Sequence, residues 1–284
     1  MIRIAQASSS EDFGKYGVAP NQRRTGVTAS KPQGNLDGEL NIVTWGKPWQ
    51  CVYRAIDDEV AEKIAEFFYR AVANGSGIGY SWSGNTGLFD ALKKLGSTSP
   101  TDVKTPVNTD CATLAGAAIY NAGIHDDRLR ALVTWKMDEV LMSTNCFIKL
   151  EGKELCEKGK GIRRGDIVWR EGHTACVLDS DPIDYSEIVY LQKFTFNNVS
   201  ISAGAKGERA VQMSKSIGKT GYVPIVPRLA SVSNSALVNI QPFFGGGEDK
   251  KLYVNFYRAS GEKGKVDCSV VVVYVKKEYA KTSW

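Results

Sequence analysis

The stretch Asn108-Thr109-Asp110-Cys111-Ala112-Thr113-Leu114 decides how the chain is read. A cysteine follows an aspartate and opens a run to Asn121 that is small and apolar, with Gly116 its one glycine. The pattern predicts a helix that begins at the cysteine itself. A thiol there lies in the positive field of the helix N-terminus, which favours thiolate at neutral pH. Downstream, Gly165-Asp166-Ile167-Val168-Trp169-Arg170-Glu171-Gly172-His173-Thr174-Ala175-Cys176-Val177-Leu178 reads as a hairpin whose second strand opens at His173. Cys111 and His173 thus supply the nucleophile and general base of a cysteine enzyme.

The rest of the composition leaves that pair with little competition. The other histidine, His125, falls in the helix-exit loop Ala122–Asp127, where a solvated or capping role is expected. Six cysteines (51, 111, 146, 156, 176 and 268) form no C-x-x-C pair, and neither histidine adjoins Cys146 or Cys156. A zinc site, a disulfide framework and a cofactor are therefore not expected. Cys176 and Cys268 sit in strand-like runs and read as small buried residues. A lone cysteine in a helix is usually packing and a lone histidine in a strand usually inert. The two together, at a helix start and a strand start, outweigh those readings.

At 284 residues, with 43% hydrophobic residues, the chain has material for a core and length for two domains. Mean hydropathy is −0.24. A net charge of +5 without a block of like charges makes nucleic acid an unexpected partner. No apolar run approaches the roughly 20 residues of a membrane span, and Met1–Ala7 lacks the apolar core of a secretory signal. The expectation is a cytoplasmic product without membrane insertion.

Residues 1 to about 50 are rich in Gly, Ser, Asn and Gln, and regular structure is not expected over 8–38. Trp45 and Trp49, around Gly46 and Pro48, suggest an aromatic corner packed on the core. Asp57 and Asp58 cap a helix to Asn74, with Val60, Ile64, Phe67, Phe68 and Ala71 on its apolar face. The glycine-rich loop 75–84 carries Tyr80 and Trp82 and lacks the G-K-[ST] of a phosphate loop. Leu88–Leu95 reads as a short helix ending at Gly96, and Leu129–Met142 as a further helical stretch. Arg164-Gly165-Asp166 is read as a strand start rather than an adhesion motif. After Phe196 every segment looks extended, with six short strands separated by Gly, Asn and Lys turns, which indicates a β-sandwich or small barrel. Val270–Val273 reads as buried on both faces, inside that domain or against a partner chain.

Asp110-Cys111-Ala112-Thr113-Leu114 resembles the D-C-[SA]-x-L motif of NlpC-type cell-wall peptidases. Gly165-Asp166-Ile167 with Gly172-His173-Thr174-Ala175 resembles their histidine hairpin, and Gly79-Tyr80-Ser81-Trp82-Ser83-Gly84 their upstream tyrosine loop. Leu36–Leu40, Trp45 and Pro48-Trp49 are similar to the opening of phage and prophage lysin catalytic domains, so the resemblance spans about residues 36–180. The segments 200–204 and 221–225 are more loosely similar to small β-domains of phage tail proteins.

The resemblance implies an α+β papain-like domain over 1–195, followed by an all-β sandwich-like targeting or assembly domain over 196–284. It implies a peptidoglycan hydrolase that cuts a stem-peptide or muramoyl–alanine amide through a Cys111 acyl-enzyme. Such a protein acts at the cell wall after release, or as part of a phage particle. Tyr80 and Asp110 are then placed on the substrate side. For the residue that orients the imidazole, folding 188–193 back on the histidine strand favours Gln192, with Asp184 and Glu187 as alternatives. Self-association through the C-terminal strands stays open. So do a catalytically silent tail or wall-binding protein and an acyl transferase using the same pair.

Overall fold

A computed structural model of the chain describes residues 2–8, 32, 35, 39–46, 48–181, 188–245 and 251–280. The chain divides into two compact units, Met1–Tyr185 and Ser186–Trp284.

The first unit contains strands β1 (Arg3–Ala7), β2 (Leu40–Thr44), β3 (Cys51–Ala55), β4 (Ile78–Tyr80), β5 (Val107–Thr109), β6 (Phe147–Leu150), β7 (Ile167–Arg170) and β8 (His173–Val177). Its helices are α1 (Asp58–Ala73), α2 (Gly87–Leu95), α3 (Cys111–Asn121), α4 (Met137–Ser143) and α5 (Lys153–Lys158). Six strands form one antiparallel sheet in the order β2-β1-β8-β7-β3-β6, and β4 pairs with β5 in parallel.

The helix α1 forms because Ala61, Ile64, Ala65, Phe67, Phe68 and Ala71 recur at helical spacing and bury one stripe. The Asp57 carboxylate caps it by accepting from the Glu59 N–H at 2.8 Å. By contrast, α3 is buried on all sides from Cys111 to Ile119, as expected of a helix without a polar face. Gly116 has a steric reason, since a Cβ there would stand 2.0 Å from the Leu129 carbonyl oxygen. Its absence lets the 3₁₀ turn Asp127–Ala131 close on α3.

The turn into the hairpin β7–β8 is fixed in the same manner. Gly165 has φ +86°, and a Cβ would meet the Ala61 carbonyl oxygen at 2.1 Å, so glycine is required twice over where α1 approaches. Asp166 is fully buried and receives the Arg54 guanidinium at 2.6 and 2.8 Å. Asp166 also accepts the Arg163 N–H at 2.8 Å, and Arg54 Nη2 donates to the Gly161 carbonyl at 2.8 Å, which offsets part of the cost of burying the pair. The sequence Arg164-Gly165-Asp166 is therefore spent on structure.

The second unit holds β9 (Val189–Ile201), β10 (Arg209–Ser216), β11 (Tyr222–Val232), β12 (Val238–Phe244), β13 (Lys251–Arg258) and β14 (Gly264–Lys276). They form two three-stranded antiparallel sheets, β10-β13-β12 and β11-β14-β9. Phe194, Phe196, Val270, Val272 and Tyr274 from one sheet share a core with Leu252, Val254 and Phe256 from the other. Val270, Val272 and Val273 are fully buried because β14 is the central strand of its sheet. Pro224, Pro227 and Pro242 fall on the edge strands β11 and β12, where proline is tolerated and blunts further pairing.

The expected papain-like α+β class does not stand. The chain is mostly β, 39% strand against 26% helix, in several antiparallel sheets, with five α-helices among the described residues. The stretch 129–142 is two 3₁₀ turns, Asp127–Ala131 and Thr134–Lys136, and the seven-residue α4. Conversely, Arg3–Ala7 is a strand inside the sheet, and β9 and β14 run to 13 residues each. The strand β9 also runs through 195/196, where the domain boundary was expected.

Candidate active site

The cysteine is placed by its own capping chemistry. Asp110 is the N-cap of α3, and its carboxylate accepts from the Thr113 N–H at 2.7 Å and the Thr113 hydroxyl at 2.9 Å. The Asp110 N–H donates to the Thr113 hydroxyl at 2.9 Å, which closes a capping box. Asn85 Nδ2 donates to the other carboxylate oxygen at 2.5 Å. Cys111 is thus the first residue of α3, held from both sides.

Tyr80 reaches the same place through the β4–β5 pair, whose register sets Tyr80 beside Thr109, two residues before Cys111. The Tyr80 hydroxyl accepts from Trp82 Nε1 at 2.7 Å. Tyr80, Trp82, Asn85 and Asp110 line a groove of about 490 Å³ together with Cys111, Trp135, Trp169 and Glu171. The expected pair on the substrate side, Tyr80 and Asp110, therefore shares one groove with the cysteine.

The cysteine and the histidine strand also come together. The start of α3 packs against β8, and the backbone N–H of Thr174, the residue after His173, favours the charged form of the Cys111 thiol, as do those of Ala112 and Cys111 itself. Burial pushes this thiol up to about 12, the negative charge of Asp110 adds to the rise, and the three N–H groups oppose it. The expected resting thiolate gives way to a protonated thiol, because desolvation outweighs the field of the helix terminus.

His173 is 5% exposed. Its Nε2 lies 2.8 Å from Gln6 Oε1. An amide oxygen only accepts, so Nε2 carries the hydrogen and, in the neutral ring, Nδ1 carries none. Gln6, 2% exposed, is oriented in turn by donating from Nε2 to Asn41 Oδ1 at 3.0 Å, its cross-strand neighbour on β2. The indole of Trp49 stacks on the imidazole with centroids 5.8 Å apart and planes 24° apart, and Arg170 lies over that indole. The aromatic corner around Trp49 therefore packs on the histidine.

Gln192 belongs to β9 of the second unit, where it pairs with Val272. Asp184 and Glu187 are outside the described residues. Sequence reading missed Gln6 because it took the first residues only as a chain start. A usable signal was present in the short apolar run Ile2–Ala7, which ends at serines and carries one amide. The pairing of Ala5 with Cys176 then brings Gln6 within a diagonal step of His173.

Among the other cysteines, Cys51 is pushed up to about 12 and Cys268 to about 11 by burial, and Cys176 is raised as well. His125 is exposed and packs edge-on against Tyr120. Among the described residues no group of His, Cys, Asp and Glu could hold a metal ion, and no helix is long and apolar enough to cross a membrane.

Comparison with curated proteins and with solved structures gave no match. A family model described as an endolysin-like domain matches residues 25–182, more than half of the chain. That stretch carries the groove, Cys111 and His173, and with it the chain belongs to the endolysin-like domain family, a family of cell-wall-lytic phage proteins.

Proposed function

We propose that the first unit is a cysteine hydrolase that cleaves an amide bond of peptidoglycan, with Cys111 as nucleophile, His173 as base and Gln6 as the residue that orients the imidazole. One observation carries the reading. The start of α3 packs on β8, the strand that His173 opens, and Gln6 Oε1 accepts from His173 Nε2 at 2.8 Å, the tautomer in which Nδ1 carries no hydrogen. Because the thiol rests protonated, its proton passes to Nδ1 as sulfur attacks the carbonyl carbon. The Cys111 backbone N–H, unpaired within the first turn of α3, stabilises the tetrahedral oxyanion. Nδ1 then protonates the departing amine, which leaves a thioester on Cys111. Water, deprotonated by His173, cleaves the thioester to a carboxylic acid and restores the thiol. The motifs similar to NlpC-type peptidases support this assignment, and Tyr80 and Asp110 shape the substrate groove. The domain assignment follows: an enzymatic unit to about 185–195, then a β-rich targeting or assembly unit that is open to self-association.

A second reading is favoured by the burial of the nucleophile. Cys111 is 7% exposed and its thiol is strongly biased to the neutral form, as in a catalytically silent tail or wall-binding protein. Turbidity of Gram-positive cell-wall suspensions separates the two. The enzyme reading expects clearing by wild type and loss of at least about 10³-fold in rate with Cys111→Ala. Equal behaviour of the two proteins selects the silent reading.

A further inference from the structure

Two tryptophans stand exposed at the groove that ends on Cys111. Trp82 is 48% exposed and Trp135 77%. The Trp82 ring and the backbone that carries Trp135 are both anchored. Trp82 Nε1 donates to the Tyr80 hydroxyl at 2.7 Å. The 3₁₀ turn that carries Trp135 is anchored by Trp169 Nε1, which donates to the Thr134 carbonyl at 2.9 Å. Such rings lose little conformational freedom when something binds them. Large exposed rings inside a concave site mark a place of interaction rather than of packing.

The groove's charge narrows its occupant. Neither Lys nor Arg lines it, although the chain carries a net charge of +5. Its polar side chains include Asn85 and Glu171, and among the described residues no ion pair takes up the Glu171 carboxylate. This lining disfavours anionic groups and suits hydroxyl and amide groups. A pyranose ring offers both halves of the match, a face of C–H bonds for the negative face of an indole and a rim of hydroxyls. Peptidoglycan is built of amino-sugar chains and short peptides of alanine, glutamate and a diamino acid. Of these, only the sugars present a ring face.

We propose that Trp82 and Trp135 form a saccharide subsite beside Cys111, so that the substrate is a stem peptide still joined to its glycan and the amide cut lies close to the sugar. The inference rests on the reading of the groove as a peptidoglycan site and adds which part of that polymer it holds.

The test uses the full chain carrying Cys111→Ala, so that nothing is consumed. Calorimetric titration compares a disaccharide–tetrapeptide with the same tetrapeptide lacking sugars. The sugar-bearing ligand should bind at least about tenfold tighter, and Trp135→Ala or Trp82→Ala should remove most of that difference without changing peptide affinity. Circular dichroism checks that each variant is folded. Equal affinity for the two ligands, equal weakening of both by the tryptophan variants, or no binding of either would overturn the proposal. So would a concentration-dependent dimer that is lost in Trp135→Ala, because the rings would then serve self-association. Failure of the catalytic reading shows separately, as equal wall lysis by wild type and Cys111→Ala, and leaves the titration to decide the subsite.

Discussion

Cys111 sits where two effects oppose each other, and burial is the larger. A helix N-terminus stabilises a thiolate by about 0.3–2 kcal/mol, whereas burial opposes the charge by several. The thiol rises from 9.0 to about 12, so between those pH values the folded chain keeps a proton that the unfolded chain has lost. The stability that this thiol contributes is complete below pH 9 and is lost as pH rises toward 12, at about 1.4 kcal/mol per pH unit. Cys111→Ala is therefore expected to lose less stability than wild type between pH 9 and 11, read from urea midpoints. Cys51 and Cys176 titrate in the same direction and supply the alkaline loss that remains. The amide relay gives a second prediction. Gln6→Ala should lower kcat about 10- to 100-fold with KM little changed, as expected for a residue that acts through the imidazole. Asn41→Leu should do the same to a smaller extent, because Gln6 then loses the bond that holds its oxygen toward His173. The pair proposed to react was legible in the sequence because Cys111 opens α3 and His173 opens β8. Gln6 was not, since its role arises from strand pairing across 167 residues and its own surroundings are unremarkable small residues.

At the level of elements, legibility followed local chemistry. The helix α1 runs from Asp58 to Ala73 behind its Asp57 cap, as the apolar period and the aspartates predict. The helix α2 ends at Gly96 with φ +62°, the left-handed residue expected of a terminal glycine. Elements that depend on partners were misread. The strand β1 has only five residues, and its neighbours β2 and β8 lie far along the chain. The stretch 129–142 has helical composition but is interrupted by extended residues at Leu132 and Val133. The glycine of the hairpin entrance is where an element-scale claim is sharpest. Gly165→Ala should destabilise the first unit by at least about 2 kcal/mol, because both the positive φ and the Ala61 carbonyl oppose a side chain. Denaturant unfolding checks this, and Gly172→Ala is the control. Gly172 shares a positive φ of +75° but has open space around it, so its loss should be smaller.

For the molecule as a whole, two separate apolar cores make two energetic units. Phe256 is fully buried in the second core, and Phe256→Ala should cost it about 3–5 kcal/mol. Calorimetry should show a lowered transition for that unit while wall lysis at 25 °C persists, if the groove and its cysteine act from the first unit. The strand-rich layout was only half visible in sequence. The six C-terminal strands announced themselves through turns at regular spacing, whereas the six-stranded sheet of the first unit is assembled from short strands scattered between helices. On the proposed mechanism, Cys111 forms a covalent acyl intermediate on peptidoglycan. Intact-protein mass spectrometry of enzyme quenched in acid during turnover of purified muropeptides tests it most directly. A thioester adduct is expected on the Cys111 peptide of wild type and absent in Cys111→Ala. Wall lysis that proceeds at the same rate in wild type and Cys111→Ala, with no adduct on Cys111, would contradict it.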